Sequence, residues 1–388
     1  MDKFELAYEK VMGYIAENNF TSYDPYDGLN TPVEFLKISK ISRLALIYLQ
    51  KFSPINLRKL LWVQKSKQLM TLGTIANAMF LFNNLSNQEL DFFDNLFEEL
   101  KQKTLIHKYG YHCWDSRDFP IQWLGKPYAA NDLDVVGNEI LGSFLINYYR
   151  INGNKEVLYY ISSLADLLLN EFYSERQGFY FFRYRITDPD ESFTLNASLK
   201  AMAFLIKASE ILNNDSFHEP INRVLNTVLE LQKDDGRWNY TYWIDKNIEK
   251  KQIDFHQGFI LDDILLFMQK YGSKESIMNS YVKGLEFYYQ KQFLPTGQGI
   301  YRYPRIWPTD IHSQAQGIIT FTHAAKAGMG SHYFEFANLI ADWTIKNMQD
   351  KDGHFYFLKY PWITNRIPYI RWSDANMAYA LSVFLAGR

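Results

Sequence analysis

Polar residues able to do acid–base chemistry recur in short groups along the chain. They are Asp132, Asp134, Asn138 and Glu139; Asn196 and Ser198; Asp254, His256 and Gln257; Asp310, His312, Gln314 and Gln316; and Arg371, Trp372, Ser373, Asp374 and Asn376. Each group opens an otherwise apolar stretch. Helix capping accounts for some of them, because Asn, Ser and Asp accept from the free amide groups at a helix start. It does not account for His256 and His312, nor for amides inside apolar helices, which need internal partners or a polar cavity. Asp134, Asp374, His256 and His312 are therefore the candidate catalytic groups. Around them stand Asp132, Trp123, Asn196, Trp238, Tyr301, Tyr303, Arg305, Trp307 and Arg371, the candidate substrate-binding residues. Indole and phenol faces stack on the C–H faces of sugar rings while carboxylates, amides and hydroxyls take the sugar hydroxyls. Arginine adds a planar fork that suits a uronate carboxylate or a sulfate.

Three functions fit such a set. Hydrolysis of a glycosidic bond, ranked first, needs one acid to protonate the leaving oxygen and a second group to activate water or attack. The run AANDLDVVGNE is the densest acidic stretch, and Asp310 and Asp374 could face it across a cavity. Elimination or C5-epimerisation of a uronate comes second: His256, His312, Tyr301, Tyr303, Arg302 and Arg305 could neutralise the carboxylate and move the C5 proton. A non-catalytic glycan-binding or polysaccharide-assembly protein is the third. Against all three stands the reading that the tryptophans fill the core and the arginines are solvated.

Composition removes other classes. The 388 residues are 47% apolar and 22% charged, with 41 Lys and Arg against 43 Asp and Glu, so a globular protein is expected and neither nucleic acid nor an anionic membrane has an overall electrostatic footprint. One cysteine, Cys113, excludes an internal disulfide, and no stretch approaches the roughly 20 apolar residues of a membrane span. The charged, amphipathic start MDKFELAYEK is unlike a secretory signal, so a cytoplasmic location is expected. No phosphate-binding glycine loop, dinucleotide fingerprint or zinc spacing occurs, so no cofactor or metal is expected. The expected partner is an oligosaccharide or polysaccharide; nothing in the sequence bears on oligomeric state.

The elements that must position these residues are repeated. At intervals of roughly 60 residues a glycine is followed by alternating aromatics: GFYFF at Gly178, GRWNY at Gly236, GIYRY at Gly299 and GHFYF at Gly353, with a weaker copy at Gly110 and a possible one at Gly28. Period-2 alternation after a glycine turn predicts a short hairpin arm. Before each turn runs an amphipathic helix, at about 2–18, 87–106, 155–174, 215–233, 275–292 and 331–349. After each comes a more apolar one rich in small residues, at about 32–51, 132–150, 193–212, 255–271, 311–327 and 373–386. The pattern predicts an all-α (α/α)6 toroid of about twelve helices with short β-hairpins in the loops of one rim. Residues 1–388 read as a single domain, with an extra helical insertion at about 54–84.

The strings LQKDDGRW and MQDKDGHFYF resemble the Q-x-x-D-G-x-W element of (α/α)6-barrel proteins, among them unsaturated glucuronyl hydrolases, other carbohydrate-active toroids and terpene cyclases. The resemblance implies the toroid fold over most of the chain. A terpene cyclase would need an aspartate-rich cluster, and LDDILLF, with Asp262 and Asp263, lacks the third aspartate. HSQAQGIITF is similar to the inner-helix A-Q-G segment in the C-terminal domain of heparosan-type glucuronyl C5-epimerases, and IRWSDANMAYAL resembles their terminal R-W helix. There the chain departs from the family, because Ser373 and Asp374 stand where a histidine-bearing segment follows R-W.

Overall fold

Helices that are apolar along one stripe need a shared interior, and a closed ring of antiparallel pairs supplies one. The computed structural model describes residues 1–82, 85–117, 119–122, 127–130 and 132–388. In chain order the helices are α1 (Lys3–Glu17), α2 (Lys40–Phe52), α3 (Leu69–Phe80), α4 (Asn87–Lys103), the single turn α5 (Ile106–Tyr109), α6 (Val135–Asn152) and α7 (Glu156–Leu167). They continue as α8 (Leu195–Leu212), α9 (His218–Glu230), α10 (His256–Tyr271), α11 (Glu275–Lys291), α12 (Ile311–Lys326), α13 (Ser331–Met348) and α14 (Ala375–Ala386). α3, α6, α8, α10, α12 and α14 each pack on the next, and α14 closes on α3. Outside this ring, α4, α7, α9, α11, α13 and α1 pack on α3, α6, α8, α10, α12 and α14 in turn. This is the (α/α)6 toroid the sequence predicts. Its strands are short antiparallel pairs in the loops, such as Tyr173–Arg176 with Phe179–Phe182.

The first unit differs from expectation. Its ring member is α3 rather than the stretch 32–51, so the chain outside the repeat is about 20–66, carrying α2, and not 54–84. Both stretches are apolar, but α3, with Gly73, Ala76 and Ala78 on a largely buried surface, has the small residues that close helix packing requires. α2 instead packs Leu46 and Ile47 with Tyr26, Leu29, Phe119 and Ile121 in a separate small cluster.

The glycine turns owe their sequence to the neighbouring outer helix. Gly236 and Gly353 have φ of 95° and 105°. A Cβ at Gly236 would stand 2.2 Å from the Lys283 carbonyl oxygen of α11, and one at Gly353 2.3 Å from that of Lys10 in α1. The glutamine four residues earlier ties each turn down. Gln232 Nε2 donates to the carbonyls of Gly236 and, on α11, of Ser280, both at 2.9 Å. Gln349 Nε2 donates to Gly353 at 3.0 Å and to Ala7 on α1 at 2.9 Å. The Q-x-x-x-G element thus joins successive outer helices and belongs to the fold rather than to the chemistry. In the fifth unit the left-handed glycine is Gly297, with φ 87°, not Gly299. Gly28 lies in a short 3-10 segment, Asp27–Asn30, and makes no such turn.

These contacts separate two glycine substitutions. Gly178, with φ 82°, faces open space, so Gly178→Ala should cost only the left-handed penalty of about 1–2 kcal/mol. Gly236→Ala must also move the α11 backbone and should lower the urea midpoint distinctly further; equal midpoints would contradict the packing described.

Candidate active site

The polar residues that open the inner helices divide into two sets. One set clamps the incoming loop. The backbone N–H of Trp114 donates to Asn138 Oδ1 at 3.0 Å, Phe182 to Ser198 Oγ at 2.8 Å, Trp238 to Gln257 Oε1 at 2.9 Å, Gly299 to Gln314 Oε1 at 2.5 Å and Phe355 to Asp374 Oδ1 at 2.6 Å. Three clamps are two-sided, since Asn138, Gln257 and Gln314 also donate to the carbonyls of Trp114, Trp238 and Gly297. Buried backbone groups in irregular loops require such partners. Asp374, expected among the catalytic groups, is placed in this set: it is fully buried, and burial pushes its carboxyl up to about 7. Trp238, expected to stack on substrate, is also fully buried, and its indole N–H donates to the Val228 carbonyl of α9 at 2.9 Å. Trp114 does the same to Leu100 of α4 at 2.8 Å. The structure therefore does not bring Asp374 or Trp238 to the others; a clamp and a ligand group use the same residue types at a helix start.

The second set surrounds Phe255, just before α10. Asp254 is buried, accepts from Gln252 Nε2 at 2.8 Å, lies 3.6 Å from Arg302 Nε and forms a short hydrogen bond with His256 Nδ1. Burial works to raise its pKa, but His256, Arg302 and Gln252 outweigh it and hold the carboxylate below the usual range. Because Nδ1 is engaged with the carboxylate, Nε2 of His256 is the nitrogen left for a ligand. The His256 ring packs 4.3 Å from Phe255 and 4.6 Å from Tyr240. Against the same Phe255, 4.8 Å away and nearly parallel, lies His312, with its edge to Trp372 at 4.4 Å. Burial, with Arg371 and His256 nearby, pushes the His312 imidazole down to about 3, so it is neutral near pH 7. Its Nδ1 is buried and has no partner.

Asp310 caps α12, accepting from the His312 N–H at 3.0 Å and from Trp372 Nε1 at 3.4 Å, and burial pushes it up to about 6. Residues about 20–66 close over this group. Lys51 of α2 points inward, bonds the Tyr26 hydroxyl and lies 4.4 Å from the Tyr26 ring centre; burial lowers its pKa. Asp24 pairs with Arg371, whose guanidinium lies over Trp372 at 5.1 Å. Lys51, Tyr26 and Asp24 went unread because this segment has no register in the repeat.

Asp134 caps α6 beside this centre. It accepts from Gly137 N–H at 2.8 Å and from the Ser116 hydroxyl, with Arg117 at 4.0 Å. Against the effect of burial, Arg117 and Arg185 keep it ionised. Asp132 accepts from Thr187 Oγ1 at 3.0 Å and lies 3.8 Å from Arg185. Tyr184 stands within electrostatic reach of both Asp134 and Arg371, linking the two groups. Asn196, in the first turn of α8, is buried with its Oδ1 unpaired. Tyr301 is buried near Lys51 and Asp310, and exposed Arg305 lies 5.5 Å over its ring while donating to the Trp307 carbonyl at 3.0 Å. Tyr303 sets its ring edge to Phe287 at 5.6 Å, and Trp307 is half-buried. Trp123 and Asn131 lie outside the described residues. Cys113 is buried, its thiol pushed up to about 12, which suits packing and not nucleophilic attack. Among the described residues no group of three His, Cys, Asp or Glu could hold a metal ion, and no helix is long and apolar enough to cross a membrane.

No family model matches the chain, and no curated protein matches it in sequence. Solved structures do match in fold. A cellobiose 2-epimerase from Bacillus thermoamylovorans is similar over 83% of this chain and 90% of its own, with a TM-score of 0.66 and 14% identity. The GH76 α-mannanase of Bacteroides thetaiotaomicron is similar over 82% and 84%, with a TM-score of 0.64 and 14% identity. A polysaccharide lyase is similar over 100% and 96%, with a TM-score of 0.62 and 11% identity. At such identities the likeness shows the shared (α/α)6 toroid.

The clamp role of Asp374 has a pH signature. The folded protein keeps this proton up to about pH 7, whereas a free aspartate side chain loses it near 3.8. Its contribution to stability is therefore complete below the unfolded pKa and is lost as pH rises through about 7. Asp374→Asn keeps an acceptor for the Phe355 N–H and removes the titration. Between about pH 4 and about pH 7 the wild type should lose stability relative to the variant; parallel melting curves across that range would contradict the assignment.

Proposed function

We propose that the chain is a carbohydrate-active enzyme, a single toroid over residues 1–388, that moves a proton at a sugar carbon next to a carbonyl or carboxylate. The observation that carries this is the Asp254–His256 pair, set against the same phenyl ring as the neutral imidazole of His312. A carboxylate on Nδ1 fixes the tautomer and leaves Nε2 as the nitrogen that can take a proton, as a general base requires. A neutral imidazole can donate to a developing enolate oxygen without first protonating it. In this reading Nε2 of His256 takes the proton and the C–H electron pair moves into the adjacent carbonyl, whose oxygen His312 stabilises. Delivery of a solvent-derived proton to the opposite face, with His256 keeping the one it took, gives epimerisation, and loss of a β-substituent gives elimination. Arg302 and Arg305, both exposed beside the site, suit the carboxylate of a uronate in an oligosaccharide or surface-polysaccharide unit. Trp307, half-buried beside them, supplies a stacking face.

The order thus reverses the one drawn from sequence, where two carboxylates came first. Glycoside hydrolysis keeps one specific support, Asp310, whose pKa of about 6 suits a general acid near neutral pH. With a substrate found by mass-spectrometric screening of neutral and uronate oligosaccharides, His256→Ala should lower kcat by about 10²–10⁴-fold. Asp254→Asn, which keeps an acceptor beside Nδ1, should lower it less. Loss of turnover in Asp310→Asn with little effect of His256→Ala would replace this reading by hydrolysis. Binding without any product would leave a glycan-binding module.

A further inference from the structure

The segment that closes over the site carries an unpartnered apolar face. α2 buries Leu46, Ile47 and Gln50 on one side. On the opposite side, at helical spacing, Ile41, Tyr48 and Leu49 continue from Ile38, and all four are exposed, Ile38 by 79% and Ile41 by 81%. A helix apolar on both sides with one side in solvent is unusual for a surface element. Beyond the helix the same segment exposes Ile55, Leu60 and Trp62, the last by 62%. It is joined by the turn after the strand Leu358–Lys359, where Trp362 is 93% exposed; Asn365, at the end of that hairpin, donates to the Ser53 carbonyl at 3.2 Å.

Charge is concentrated on the same segment. Between Val33 and Lys67 eight residues are Lys or Arg and one, Glu34, is acidic, in a chain whose total is −2. Lys51 and Arg58 are buried and turned inward, so the outer surface keeps six, Lys37, Lys40, Arg43, Lys59, Lys65 and Lys67, of which Lys37 pairs with Glu34 at 2.8 Å and Lys67 with Glu99 at 3.2 Å. The near-neutral total conceals a basic, apolar patch on an otherwise acidic chain.

We propose that this patch docks the protein on an anionic lipid surface. A basic helix with exposed Ile, Leu, Tyr and Trp side chains has the make-up of one that lies in the plane of a bilayer interface. At 13 residues α2 is too short to span one. A second copy meeting it through the same face would set basic groups against basic groups, whereas anionic headgroups complement the lysines and the acyl boundary takes Ile38, Ile41 and Trp62. Because Tyr26, Lys51 and Asp24 of the same segment reach the candidate active site, docking would bring that site to the membrane surface, where a lipid-borne saccharide would be met. The docking itself does not rest on the reaction proposed above.

Flotation of the full-length protein with vesicles tests it. Vesicles of phosphatidylcholine with about 30% phosphatidylglycerol should carry the protein up, phosphatidylcholine alone should carry at least tenfold less, and about 0.5 M salt should release most of it. Ile41→Glu should lower binding by about tenfold or more. Trp62→Asn, outside any helix, should also lower it and serves if Ile41→Glu melts early. Turnover of a soluble oligosaccharide should be unchanged in both variants, which separates failure of docking from failure of the proposed reaction. No flotation with anionic vesicles, or flotation indifferent to both substitutions, would overturn the proposal. So would a wild-type dimer that Ile41→Glu converts to monomer, which would assign the face to a second copy.

Discussion

Five side chains at the mouths of the inner helices hold the rim of this toroid. Asn138, Ser198, Gln257, Gln314 and Asp374 each accept the N–H of a loop strand that would otherwise be buried without a partner. The loops, so fixed, deliver an indole to the outer helix below, as Trp114 and Trp238 do. Neighbouring positions at the same helix starts then point elsewhere and are available for chemistry. His256 immediately precedes the clamp residue Gln257, and His312 lies two residues before Gln314.

Around that scaffold the charged groups fall into two states. Asp24 with Arg371, Asp134 with Arg117 and Arg185, and Asp254 with His256 and Arg302 stay ionised despite burial because each has a cationic neighbour. Asp310, Asp374 and His312 lack sufficient compensation, and burial shifts each toward its neutral form, to about 6, about 7 and about 3 respectively. The centre beside Phe255 thus holds an imidazole hydrogen-bonded to a carboxylate and a buried, neutral one side by side. Acid–base catalysis at a single pH needs such unequal environments for like groups.

Much of the architecture was legible in the sequence. Outer helices announced themselves by amphipathic period and hairpins by aromatic alternation after glycine, both local signals. The first inner helix did not, because α2 is apolar on both sides and so mimics a ring helix; only packing shows that one side faces solvent. The histidines stood out because capping could not explain them, and the structure sets both against Phe255. Asp374 and Trp238 were misleading because a clamp carboxylate and a catalytic one, or a core indole and a stacking one, occupy the same places in a repeat. Lys51 and Tyr26 reach the site from a segment with no counterpart in the other units, and no periodicity points to them.

In the proposed reaction His256 Nε2 exchanges a proton with a sugar carbon. The most direct measurement is turnover in deuterium oxide of whichever saccharide the protein converts, with the label located by NMR and mass spectrometry. Epimerisation should leave one deuterium on the carbon adjacent to the carbonyl or carboxylate, elimination should give an unsaturated product without that hydrogen, and the His256→Ala variant should give neither. Cleavage with no carbon-bound deuterium, and with solvent oxygen at the anomeric carbon, would contradict it and transfer the chemistry to the carboxylates.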